Sequence, residues 1–115
     1  MEQLNRIELR GTVGSVRRQS FNGRIVVHFT MVTNFVYKVK DTEAAIETVW
    51  HNVTAWEGKD MPDLQLIEKG SKLYVVGRLK AQRYTDNEGI ERVSTEVAAK
   101  RISLIDASEP LVLEQ

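Results

Sequence analysis

Two long runs of alternating apolar and polar residues, NRIELRGTVGSVRR and RIVVHFTMVTNFVYK, are separated by a short segment holding Asn22 and Gly23. Asn-Gly between two strand-like runs is the strongest short-range hairpin signal, because both residues tolerate the positive φ of a type I′ turn. The chain therefore has to begin as a β-hairpin. In its first strand Ile7, Leu9, Gly11 and Val13 share one face, while Arg6, Glu8, Arg10 and Thr12 share the other. Gly11 and Gly14 interrupt this strand and imply a bend or bulge of the kind that strongly curved barrels need.

The remaining elements follow from the same period. ETVWHNVTAW, residues 47–56, reads as a third strand, and the charged stretch 38–46 before it reads as a loop. In KDMPDLQLIEKGSK, Pro62 near the start, Leu64 and Ile67 three apart and Gly70 past the end predict a short helix of about two turns. KLYVVGRLKAQRY and IERVSTEVAAKRISLI form two more strands around a turn at residues 85–89, and a phase shift between Ala99 and Ile102 implies another bulge. Five strands with one helix between the third and fourth is the element order of the OB-fold, an all-β, five-stranded Greek-key barrel that commonly binds oligonucleotides or oligosaccharides. At 115 residues the chain is one domain, expected over residues 1–107 with a short tail at 108–115.

Several function classes drop out. Without cysteine there is no disulfide, thiolate metal site or cysteine nucleophile, and His28 and His51 alone are too few for a zinc site. Neither a G-x-S-x-G elbow nor a phosphate-cradling glycine loop occurs, so the expectation is a non-enzymatic chain without cofactors. No apolar run approaches the roughly 20 residues of a membrane span, and MEQLNRIELR lacks a signal-peptide core, which points to the cytoplasm. Net charge is zero but segregated. Residues 1–40 carry seven Lys or Arg against two Glu, residues 41–71 two Lys against seven acids, and residues 72–101 seven against four. A basic groove on a neutral molecule and a mixed solvated surface are both compatible with that pattern.

The aromatic residues sharpen the choice. On the third strand Val49, His51, Val53 and Ala55 form the apolar face, which leaves Trp50 and Trp56 beside Asn52 and Thr54 on the polar one. Tyr84 ends a row containing Arg78, Lys80 and Gln82, and Phe35 and Tyr37 adjoin Lys38 and Lys40. Arg17, Arg18 and Arg83 add further cations. Aromatics interleaved with Lys and Arg suit single-stranded nucleic acid, since each base stacked on a ring gains about 1–3 kcal/mol irrespective of sequence while cations track the phosphates. Packing against a second sheet or subunit is the ordinary alternative for such rings, and a carbohydrate surface is another.

The segments NRIELRGTVG, FTMVTN, VWHNVTAW, LIEKGSKLYVVGRL and RYTDNEGIERVSTEVAAKRI, spanning about Asn5 to Ile105, resemble the bacterial single-stranded DNA-binding protein (SSB) family. The resemblance implies coating of single-stranded DNA in replication, recombination and repair. It makes Tyr37, Trp50, Trp56 and Tyr84 base-stacking positions, Lys69, Lys80 and Arg83 backbone-contacting ones, and places His51 near a subunit interface of a homotetramer, with a dimer as the alternative. Asn52 and Gly58 stand where family members have basic residues, which weakens the phosphate contacts implied there. The family's long linker and acidic tip, which recruit replication and repair enzymes, have no counterpart in ISLIDASEPLVLEQ, so that role is not carried over. Primosomal replication protein N, similar in size and opening residues, matches VWHNVTAW and RYTDNEG less well, and an OB-fold protein-interaction module is the remaining rival.

Overall fold

The computed structural model describes residues 1–41 and 43–105. Five strands, β1 (Ile7–Phe21), β2 (Arg24–Lys40), β3 (Glu43–Trp56), β4 (Lys72–Thr85) and β5 (Glu91–Ile105), close into a barrel in the order β1-β2-β3-β5-β4. All neighbours are antiparallel except β3 and β5, which run parallel and pair in the ladder at Val53–Val97 and Thr54–Ala98. The barrel expected from the element order is present. Its first turn has Asn22 at φ 53° and Gly23 at φ 79°, the conformation that the Asn-Gly pair predicts.

Both bulges appear. β1 slips against β2 between Val13 and Val16, beside Gly14, and β5 slips against β4 where Val76 pairs with Arg101 but Gly77 pairs with Ala99. Each inserts one residue and bends its strand, which lets five strands close on themselves. The core is built from the inward residues of every strand, including Leu9, Val13, Val27, Phe29, Met31, Val53, Leu73, Val75, Val97 and Ile102. Burying each large side chain contributes about 1.5–3 kcal/mol.

Two expectations are corrected. In place of a two-turn helix there is a single 3-10 turn, Leu64–Leu66, capped by Asp63, whose side chain accepts from the Gln65 N–H at 3.0 Å. Leu64 and Ile67 are both buried as a plug in the core. Ile67, extended at φ −81° and ψ 118°, ends the turn. The Arg18 guanidinium then donates to the carbonyls of Leu64 (3.4 Å), Gln65 (3.1 Å) and Ile67, giving partners to oxygens that no continuing helix bonds. Secondly, 38–46 is not a loop, because β2 runs through Lys40 and β3 starts at Glu43, with Tyr37 opposite Ala45 and Lys38 opposite Ala44. The ladder continues past the barrel as a two-stranded arm. Both faces of that arm meet solvent, so no hydrophobic alternation is needed to sustain the backbone pairing.

Candidate nucleic-acid interface

Antiparallel partners project to the same face of a ladder, so Trp50 and Trp56 stand on one face with Val32, Thr30, His28 and Val26 of β2. Trp50 is 60% exposed and Trp56 37%. Trp50 lies against the bulged part of β1: a Cβ on Gly14 would come within 2.5 Å of its Cζ3. Gly14 thus has two roles, easing the bulge and leaving room for the indole. Trp56 is held by the β1–β2 hairpin. Phe21 meets it edge-on at 6.3 Å, and the Arg24 guanidinium lies 5.1 Å from its ring centroid in a cation–π contact. Arg24 is anchored in turn by the Glu57 carbonyl at 3.1 Å. Neither Phe21 nor Arg24 stood out in the sequence, because the hairpin that folds them over a tryptophan 35 residues away from Phe21 leaves no local trace.

The β4–β5 hairpin carries Tyr84, 51% exposed, opposite Arg92. Its turn is rigidly built: Asp86 Oδ1 accepts from the N–H groups of Glu88 and Ile90, each at 2.9 Å, and Oδ2 accepts from Arg92 Nε at 2.8 Å. The Arg92 hydrogen bond, aided by the Ile90 amide, holds the Asp86 carboxyl below its ordinary range. Lys80 shares Tyr84's face and lies opposite Glu96, which accepts from Thr54 Oγ1 at 2.9 Å. Through that bond the β4–β5 face joins the face of Trp50 and Trp56.

Other candidates are placed differently. Phe35 and Tyr37, 40% and 44% exposed, stack at 6.4 Å but lie opposite Glu47 and Ala45, on the side of the arm away from Trp50. Lys38, an even-numbered position like Val32, lies on the tryptophan side. Arg17 is opposite His28 and exposed there, and Lys69 is exposed in the loop before β4. Arg83 is exposed and paired with Glu91 at 3.4 Å. Arg18 is committed to the 64–67 carbonyls, so its geometry favours supporting the fold over meeting phosphate. His51 is half-buried at the barrel rim, with Nε2 2.9 Å from Thr33 Oγ1, and burial lowers its pKa. Among the described residues no group of three His, Cys, Asp or Glu is arranged to hold a metal ion.

Exposed rings with cations on a small closed barrel define the surface, and the family model for the "single-strand binding protein family" matches residues 4–105. The chain belongs to this family. The single-stranded DNA-binding protein 1 of Chlorobaculum tepidum is 32% identical over 92% of this chain and 67% of its own length. Single-stranded DNA-binding protein 1 of Xylella fastidiosa is 33% identical over 91% of this chain and 79% of its own. Among solved structures, a Plasmodium falciparum SSB in complex with single-stranded DNA superposes with a TM-score of 0.79 at 26% identity, covering 92% of this chain and 98% of that one. Proteins of the single-strand binding family are non-enzymatic, in line with the catalytic motifs missing from the sequence. No helix among the described residues is long and apolar enough to cross a membrane.

Proposed function

We propose that this chain binds and coats single-stranded DNA with little sequence preference, in replication, recombination and repair. The observation that carries the reading is Trp50, 60% exposed on a family barrel and seated against Gly14, an apolar ring given a fixed place and left open. Bases stack on Trp50, Trp56 and Tyr84, and phosphates are met by Arg17, Lys38, Lys69, Lys80 and Arg83. Phe35 and Tyr37 extend the platform on the far side of the arm, so a strand that reaches them passes around the arm's edge. Arg18 serves the 64–67 turn instead. Residues 1–107 make up the binding domain in this reading; 106–107 and the expected tail at 108–115 lie outside the described residues. The assembly is a homotetramer with His51 near a subunit contact, a state that light scattering would report directly.

Binding measured by the anisotropy of a labelled oligo-dT at two salt concentrations tests the function. Affinity should fall as salt rises, because neutralised phosphates release counterions. Glycan binding with no salt dependence would contradict the proposal.

A further inference from the structure

Where β3 and β5 share only two ladder pairs, the barrel wall opens into a cleft of about 450 Å³, within the usual range of ligand sites. His28, Asn52, Thr54, Gln82 and Glu96 line it, and Arg17 adds a cation. The polar groups form one chain. Thr54 Oγ1 donates its only proton to Glu96 Oε2 at 2.9 Å, so the His28 Nδ1 that lies 3.1 Å from the same oxygen must donate to it. This fixes the neutral imidazole as the Nδ1–H tautomer and leaves a lone pair on Nε2. On the opposite side Gln82 Nε2 donates to Glu96 Oε1 at 2.9 Å. Each carboxylate oxygen has accepted one bond and retains capacity for another.

A carboxylate repels phosphate, and although Lys80 stands opposite Glu96 on β4 and offsets its charge, the carboxylate itself adds no backbone contact. It is well placed to accept from an amino group. We propose that this cleft takes the edge of one base and favours those bearing an exocyclic amine, with Glu96 as the acceptor and the Thr54–His28 and Gln82 bonds holding it in position. Cytosine presents its N4 amino group to such an acceptor. Thymine, equal in ring size, presents carbonyl oxygens on both sides of a single N–H, and these meet the carboxylate lone pairs unfavourably. The inference rests on the single-strand reading above and adds a base preference to it.

The test is the ratio of affinities for oligo-dC and oligo-dT of about fifteen nucleotides. Removing a negative charge raises affinity for both, and the ratio cancels that gain. Glu96→Gln should move the ratio toward dT by about tenfold, the size of one good polar base contact. Gln82→Ala, which keeps the charge but removes one of the bonds holding Glu96 in position, should move it the same way by a smaller factor. Thermal melts of both variants confirm that the barrel is intact. A ratio unchanged in both variants overturns the proposal while leaving strand binding in place. A wild-type chain that binds neither oligonucleotide overturns the single-strand reading and this one with it.

Discussion

Along the β2–β3 ladder, Val27, Phe29, Met31, Val53 and Ala55 are buried, whereas Phe35, Tyr37, Val39, Ile46 and Val49 are between 39% and 62% exposed. The pairing runs unbroken from Val26–Trp56 to Lys38–Ala44, so backbone structure does not separate the two halves. The inner half has an opposite wall, made by β1, β4 and β5, and the outer half has none. Alternation therefore specifies two faces without specifying what covers them. Inside the barrel an apolar face is stability, and on the arm the same kind of face is free surface.

Truncation separates the two halves of the ladder by the largest margin. Met31→Ala, at a fully buried site, should cost about 2–5 kcal/mol in urea unfolding, while Ile46→Ala on the arm should stay within about 0.5 kcal/mol. Equal costs would mean that the arm is packed after all. Next in size, Trp50→Ala should weaken oligonucleotide binding by about 1–3 kcal/mol with a smaller change in melting. The reverse ordering would make the indole a structural ring. Gly14→Ala sharpens the same point without touching an aromatic residue. Its new methyl group would sit 2.5 Å from Trp50 Cζ3 and 2.8 Å from Thr30 Oγ1, so the indole must shift, with a changed emission spectrum and an affinity loss smaller than that of Trp50→Ala.

The smallest effect lies at the boundary between the halves. Burial depresses the His51 pKa below its ordinary 6.5, so the unfolded chain takes up the proton first as pH drops. The contribution to stability is complete above pH 6.5 and is lost as pH falls from there toward the folded value. Denaturant midpoints at neutral and mildly acidic pH should show this decline, and His51→Gln should flatten it.

The barrel was legible because its strands obey a period of two and its turns carry Asn22-Gly23 and Asp86 to Gly89. The arm reads as a loop in the sequence because, with no covered face, Lys38 to Ile46 show no pattern that betrays pairing. The 3-10 turn reads as longer because Pro62, the Leu64–Ile67 spacing and Gly70 mark helix ends, while the extended backbone at Ile67 leaves no mark in the residue pattern. Within the site, Trp50, Trp56 and Tyr84 were visible as aromatics on polar faces. Arg24, Phe21 and Glu96 were not, since each gains its place only when a hairpin or the β3–β5 seam closes. The opposite orientation of Tyr37 depends on the β2–β3 register, which residues 38–46 do not reveal by their pattern.

In the binding proposed above, the open indoles of β3 receive bases face to face. Intrinsic tryptophan emission followed during an oligo-dT titration reads it most directly, because Trp50 and Trp56 are the only tryptophans in the chain. Strong quenching should saturate with the strand, survive in Trp50→Phe and Trp56→Phe at reduced amplitude, and nearly vanish when both are replaced. Emission unchanged at saturating oligonucleotide would contradict it.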